Sequence, residues 1–394
     1  GEDIRKGLIG IVPKTKDPYA DGTELAAVRS RSPAEKAGIQ PGDSIESIAG
    51  QSVRRFQEIK QILGQYDAGE EIAITYRRDG ESRSVELTLA ESIPPLSPQR
   101  LGVWATQQDD EDPVTVRAAI PGTPAEGKLM PGDVILRIDS TEIDETSTLR
   151  RMMVTAVPEE ELSITVKRDD ATIDIKLTPS SVSGPLLRQT IEAWKDQAPE
   201  NPWDVEPLRL PDVSNLAAYT APDPEQVSAA DGIGLLVLLL PPDKRDPKEI
   251  LQSYREIAGR FGVVVCAVCS EDEKRWRPQE IDVVSRLTTM MAQRVPIAVS
   301  AVASPGAVDG VGSSAADSLL IAIALSDRKN FSGIAVSEDT QPPAVRLREN
   351  EPDQSLEILM PIKSLDDGPT WLAPLVSAGY PISLGDKLQI ADLF

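Results

Sequence analysis

Apolar residues in the first half of the chain come in short runs alternating with polar ones, the two-residue period of half-buried strands. Leu8-Ile9-Gly10-Ile11-Val12 opens the series, Leu25-Ala26-Ala27-Val28 follows, and Ser44-Ile45-Glu46-Ser47-Ile48 alternates cleanly. Phe56, Ile59, Ile62 and Leu63 then mark one face of a helix, with Gly64 near its end. Residues 71–76 and 84–89 predict a hairpin across Arg78-Asp79-Gly80. Residues 100–178 repeat this order, with Leu149, Met152 and Met153 on the helix and strands over 162–166 and 172–177. Prolines 185, 199, 202, 207 and 211 punctuate a polar stretch read as a linker over 183–212, with a helical piece over 187–194. From about residue 213 the pattern switches to buried strands alternating with helices. Strands are expected over 234–240, 263–268, within 297–308, and over 331–336, 356–361 and 380–384. Repeated βαβ units of this kind predict an α/β domain with a mostly parallel sheet and helices on both faces.

The repeat is sharpest in its turns. Ser32-Pro33-Ala34-Glu35-Lys36-Ala37-Gly38-Ile39-Gln40-Pro41-Gly42-Asp43 returns as Gly122-Thr123-Pro124-Ala125-Glu126-Gly127-Lys128-Leu129-Met130-Pro131-Gly132-Asp133. Each copy has a proline suited to the first turn of a short helix, then a glycine suited to stopping one. Each ends in Pro-Gly-Asp, where Pro presets φ and Gly takes the conformation other residues resist. The second copy is one residue shorter between its proline and its turn.

Leu8-Ile9-Gly10-Ile11 followed by residues 32–45, and Leu101-Gly102-Val103 followed by residues 123–135, resemble PDZ domains of the bacterial HtrA (DegP) type. The resemblance covers about residues 1–182 and implies two small β-rich domains, 1–92 and 98–182. It implies peptide-binding residues Leu8, Ile9, Gly10 and Ile11 in the first domain and Leu101, Gly102 and Val103 in the second. An extended peptide would add to a strand edge and rest its C-terminal carboxylate on backbone N–H groups, with glycine permitting the close approach. The other reading is that Gly10 and Gly102 only ease a bend, the groove being filled by the chain itself. Arg29, Arg31, Arg54 and Arg55 are candidates to draw acidic ligands to the first domain, or are simply solvated. The implied partners are peptide or protein C-termini, unfolded protein among them. Domains of this type accompany trypsin-like protease domains, so the alternative function is the C-terminal regulatory part of a secreted serine protease. An extracytoplasmic location, periplasmic or secreted, goes with that, the signal peptide being absent from this sequence.

Residues 213–394 resemble the α/β-hydrolase fold, in its esterase and dienelactone-hydrolase-like branch, on Ala218-Tyr219-Thr220-Ala221-Pro222, residues 234–241 and Ala378-Gly379-Tyr380-Pro381. The nucleophile elbow of that fold is Gly-x-Ser-x-Gly on a strand–turn–helix. The corresponding frame is Gly310-Val311-Gly312-Ser313-Ser314, a degenerate elbow with Gly312 at the nucleophile position. Pro241-Pro242-Asp243 stands where oxyanion donors would lie, and proline has no N–H to give. Asp366 or Asp367 lies where the triad acid is expected. The remaining catalytic arrangement is Ser313 or Ser314 with a lysine base. The glycine-rich turn lacks the P-loop lysine and reads as a packing turn rather than a phosphate site.

Composition narrows the chemistry. There is no histidine among the 394 residues, so no Ser-His-Asp triad and no His-ligated metal site can be assembled from this chain. The third domain is therefore expected to be a pseudoenzyme, and no cofactor or metal is implied. Net charge is −22, which argues against nucleic acid as a partner. Charge is uneven: residues 1–92 carry 13 basic and 16 acidic side chains, whereas 93–184 carry 9 and 16. Cys266 and Cys269 lie three apart on a predicted strand, pointing to opposite faces as two buried small side chains. No apolar run is long enough to span a membrane.

Overall fold

The aspartate of each Pro-Gly-Asp turn anchors the sheet of its own repeat. A computed structural model describes residues 6–15, 17–107, 111–185, 203–222, 233–309, 316–342 and 347–385. The chain divides into two compact units, Gly1–Leu96 and Ser97–Phe394. In the first, β1 (Ile11–Pro13) pairs with β2 (Leu25–Val28), and β4 (Gln51–Ser52), β3 (Ser44–Ile48), β5 (Glu71–Arg78) and β6 (Glu81–Thr88) form a second sheet in that order. The short helix α1 (Pro33–Lys36) carries Ser32 as its N-cap, and α2 (Phe56–Leu63) buries Phe56, Ile59 and Ile62. Asp79 and Gly80 both take positive φ, 52° and 83°, in the two-residue turn joining β5 to β6.

Asp43 is pinned from three directions. It accepts the Gln40 N–H at 2.8 Å and both Nε and Nη2 of Arg78 at 2.7 Å. Arg78 Nη2 also reaches the Gly38 carbonyl at 2.7 Å. The second repeat reproduces the set: Asp133 accepts from Met130 N at 2.8 Å, Arg168 Nε at 2.7 Å and Nη2 at 2.8 Å, and Arg168 reaches the Lys128 carbonyl at 2.8 Å. One fork-shaped cation thus ties the last strand residue before the hairpin to both ends of the turn unit.

The second unit begins with β7 (Gln99–Arg100), β8 (Val103–Thr106), β9 (Thr115–Ala119), β10 (Val134–Ile138), β11 (Thr141–Glu142), α3 (Thr146–Thr155), β12 (Leu162–Arg168), β13 (Ala171–Leu177) and β14 (Ser180–Ser181). The sheet runs β13-β12-β10-β9-β8, which leaves β8 at its edge. The helix expected after Pro124 does not form. Residues 121–129 are turns, because Gly127 enters the left-handed region (φ 69°) before a helical turn can close.

The rest of the unit is one large sheet, β15-β23-β22-β21-β20-β18-β19-β17-β16, from β15 (Gly184–Pro185), β16 (Val205–Leu208), β17 (Ala217–Thr220), β18 (Ile233–Leu239), β19 (Val263–Val268), β20 (Ile297–Ala303), β21 (Gly333–Ala335), β22 (Glu357–Met360) and β23 (Ile382–Leu384). Neighbours from β15 through β19 are parallel, while β17 and β16 pair antiparallel at the far edge, making the sheet mixed. Helix α4 (Pro247–Phe261) packs on one face through Leu251, Tyr254 and Ala258, with Asp246 capping its start and Gly262 (φ 60°) its end. Helices α5 (Glu280–Arg294), α7 (Asp317–Ser326) and α8 (Leu372–Ser377) cover the other, and α6 (Pro305–Asp309) is a short turn of helix after β20. Two strands, β15 and β16, fall inside the stretch read as a linker, and the expected helical piece over 187–194 lies outside the described residues.

Cys266 and Cys269 face opposite layers, one toward α5 and one toward α4. Burial pushes their thiols up to about 12 and about 11. Neither is a thiolate at neutral pH, so a water-soluble thiol reagent at pH 8 is expected to leave both unmodified until the chain is denatured.

Burial raises the Asp43 carboxyl, but Arg78 and the Gln40 N–H outweigh it and bring the carboxyl below its ordinary value. At Asp133 the Arg168 hydrogen bond leads, also downward. Both groups ionise more readily folded than unfolded, so their stabilisation is complete above the unfolded-state value and is lost as pH falls through the folded-state one. The carboxylates are 1% and 0% exposed, so removing the charge strands a partly covered arginine. Asp133→Asn is expected to cost about 3 kcal/mol at pH 7. Calorimetry should show the gap from the wild type shrinking as pH falls below the carboxylate range.

Candidate functional site

The turn unit and the expected binding loop are one device. Gly10 has φ 84°, and a Cβ there would lie 2.2 Å from the Ser32 Cβ and 2.6 Å from its Oγ. Gly102 has φ 80°, and a Cβ there would lie 2.1 Å from both Cβ and Oγ1 of Thr123. The glycine is therefore required by the chain's own turn, not by the approach of a ligand. Two hydrogen bonds fix each loop. The Ile9 carbonyl accepts from Ala34 N at 3.0 Å and the Gly10 carbonyl from Arg29 N at 2.7 Å. In the second repeat the Leu101 carbonyl accepts from Ala125 N at 3.0 Å and the Gly102 carbonyl from Ile120 N at 2.7 Å. Glu35 reaches back to the Arg31 N–H and Glu126 to the Gly122 N–H, while Ser32 Oγ accepts from Glu35 N at 3.2 Å. The Ser32 and Glu35 bonds follow capping-box logic at the head of the turn unit.

In the first unit Leu8 is exposed, Ile9 is buried, and Ile11 is half-buried at the start of β1, whose described pairing is to β2 alone. Leu8 is held by a bridge to Ala90, its N–H donating at 2.8 Å and its carbonyl accepting at 3.0 Å. Of the arginines singled out there, Arg55 pairs with Asp21 at 2.8 Å and Arg31 Nη1 donates to the Pro95 carbonyl at 3.1 Å. These two are committed within the unit.

In the second unit Leu101 is buried, and Val103 and Trp104 are half-buried on the edge strand β8. Arg117 stacks over the Trp104 ring at 4.6 Å. Between β8 and α3 a cleft of about 500 Å³ opens, with Leu101, Gly102, Leu149 and Met153 on one wall. Its opposite wall, which spacing in the sequence did not reveal, is the N-terminal ends of the parallel strands: Val299, Gly333, Glu357 and Pro381. Such a volume falls within the roughly 300–1,000 Å³ typical of ligand sites.

At the other, C-terminal ends of those strands the polar groups are turned on one another. Ser337 Oγ donates to Asp317 Oδ2 at 2.9 Å and lies 3.1 Å from Thr340 Oγ1, which is 3.3 Å from the same carboxylate oxygen; all three residues are buried. A carboxylate positions a hydroxyl but is too weak a base to deprotonate one at neutral pH. Strand β20 ends at Ala303, and Ser304, the first residue after it, is buried with Oγ accepting from Ala307 N at 3.3 Å. Gly310, Gly312, Ser313 and Ser314 lie outside the described residues. Asp366 and Asp367 are exposed in a short turn after β22, and Asp367 lines an open cleft with Glu338 and Lys363. No cluster of cysteine, aspartate and glutamate among the described residues is arranged to hold a metal ion.

Gly102→Ala is expected to lower stability by about 2 kcal/mol or more, from the positive φ and the Thr123 contact together. Thr123→Gly in the same chain should recover the part due to the contact and leave the part due to φ. Chemical denaturation of both variants measures the split, and full recovery would mean that φ carries no strain.

Residues 24–78 and 100–178 each match the PDZ domain family. A probable periplasmic serine protease do/HhoA-like of Haemophilus influenzae is 37% identical over 97 residues, 22% of this chain and 20% of that protein. A probable periplasmic serine endoprotease DegP-like of a Marinomonas species is 28% identical over 151 residues, 34% of this chain and 32% of its own length. The periplasmic serine endoprotease DegP of Escherichia coli is 26% identical over 159 residues, 39% of this chain and 33% of its own length. The similarity thus spans a third or less of each of these relatives. With the shared loop-and-turn geometry, these matches identify two PDZ domains in tandem, related to those of DegP/HtrA serine proteases.

Proposed function

We propose that the protein binds peptide or protein C-termini through its tandem PDZ domains, at Leu8 to Ile11 and at Leu101 to Val103, and that its third domain is a catalytically inert α/β-hydrolase-like scaffold. The observation carrying the first part is that both loops turn the same two carbonyls into the domain beside an edge strand. The Leu8 N–H is spent on Ala90, so the N–H groups that would meet a carboxylate in the first loop are those after Leu8, with the strand edge pairing with an extended peptide. The second part is supported by the strand order, a parallel sheet with one crossover reversal and an antiparallel second strand, as the hydrolase resemblance requires. Inertness is supported by the lack of any histidine in the sequence and by the Ser337 and Thr340 hydroxyls being turned on the Asp317 carboxylate at the strand ends.

The similarity to periplasmic endoproteases favours a second reading, in which these domains regulate a serine protease outside the cytoplasm. No described helix is long and apolar enough to cross a membrane. A gene whose upstream segment encodes a histidine-containing protease domain would establish that reading.

Screening the protein against immobilised C-terminal peptides is expected to yield binders whose affinity falls at least about tenfold when the terminal carboxylate is amidated, since a charge-assisted contact is lost. Indifference to amidation would remove the proposed mode. Short-chain esters are expected to remain unhydrolysed; turnover abolished by Ser313→Ala or Ser314→Ala would overturn the inert scaffold.

A further inference from the structure

The cleft beside the second PDZ domain has a charge opposite to that of the chain around it. It continues into a second lobe of about 380 Å³, and the two share Arg150, Val154, Val299, Ser332 and Ser355. The first lobe is apolar, walled by Leu101, Leu149 and Met153 on the PDZ side and by Val299, Leu359 and Pro381 on the sheet side. The second lobe is basic. Arg150 and Arg151 project from α3, and Lys329 stands across from them after α7. All three are exposed, and their side chains make no ion pair or hydrogen bond among the described residues.

Of the other cations lining the cleft, Arg328 is already committed. Arg328 donates to the carbonyls of Glu349 and Gln354 and to Asn350 Oδ1. Arg100, largely stripped of water, feels the Glu357 charge but keeps its buried Nε without a hydrogen-bond partner among the described residues, while Glu357 accepts from the Ser383 hydroxyl. Glu357 is the one acidic side chain among the described residues that line either lobe, in a chain of net charge −22. Arg150 keeps surface open to solvent, yet the surrounding walls remove enough water to lower its pKa below the ordinary guanidinium value. A cation so placed gains from an anionic partner more than it would on an open surface.

We infer that the second PDZ domain and the strand starts of the sheet form one composite site, whose ligand is a C-terminal segment with an apolar last residue and an acidic side chain within about three residues of it. This rests on the peptide-binding reading above. The edge of β8 and the apolar lobe take the terminus; Arg150, Arg151 and Lys329 take the acid. A peptide extended along α3 advances about 3.3 Å per residue, so an acid two or three positions from the terminus lies alongside this ten-residue helix.

The test uses the full chain and short fluorescent peptides ending in valine, with either glutamate or lysine in the preceding positions and a photo-crosslinking group. Peptides captured by residues 97–394 are identified by mass spectrometry. The glutamate series is expected to bind at least about tenfold more tightly at low salt, the gap narrowing as salt is raised. Arg150→Glu should reverse the preference, and Arg150→Gln should diminish it without reversal, giving a second reading if the first variant folds poorly. Equal affinities for both series at residues 97–394 would overturn the acidic preference and leave peptide binding standing. Failure of every peptide to crosslink to residues 97–394 would overturn both for this domain.

Discussion

The close approach of a loop glycine to the hydroxyl residue of the repeated turn is the constraint on which both PDZ domains depend. Gly10 against Ser32 and Gly102 against Thr123 leave no room for a Cβ, and the carbonyls of Ile9 and Leu101 are held by the turn unit's Ala34 and Ala125 N–H groups. The turn unit is held in place in its own right, through the Asp43–Arg78 and Asp133–Arg168 forks. A chain of short, directed contacts therefore runs from the last hairpin, through Pro-Gly-Asp, to the loop that would receive a peptide terminus. Each link is a hydrogen bond or a steric exclusion, so the loop is set before any ligand arrives, which lowers the ordering cost of binding.

The second unit separates two ends of one sheet. At the strand starts, the PDZ domain and the sheet enclose a cleft with an apolar lobe and a basic lobe. At the strand ends, where ligands of open α/β sheets commonly bind, the Ser337 and Thr340 hydroxyls are both turned on Asp317 Oδ2. Without a base near neutrality such a cluster orients hydroxyls and stabilises the strand-to-helix junction. The sheet would then act by supplying a wall to the neighbouring domain rather than by chemistry at its own strand ends.

What the sequence made legible follows the range of the interactions. Turns, caps and helix faces are local, and Asp246, Pro247 and Gly262 bound their helix as their chemistry dictates. The Asp–Arg fork is long-range, but it spans 35 residues in both copies, and comparing the copies at equal offset was the signal that could have exposed it. Strand β16 was hidden because Pro207 argues against a strand interior, yet it sits on the outer edge of the sheet, where a missing N–H costs little. The sheet wall of the cleft was not legible at all. Val299, Gly333, Glu357 and Pro381 are far apart in sequence and meet only because four strands start at the same level.

The two PDZ domains share the glycine-and-turn geometry and the Asp–Arg fork, and they differ in what surrounds each loop. In the first, Arg55 pairs with Asp21 and Arg31 Nη1 donates to the Pro95 carbonyl. In the second, three cations stand unpartnered among the described residues beside an apolar pocket. Backbone recognition of a terminus would be common to both, because it follows from the glycine and the turn. Side-chain selectivity would differ, because it follows from walls that the repeat does not encode. On this view a tandem pair of this kind can hold two distinct C-termini without any change to the shared fold.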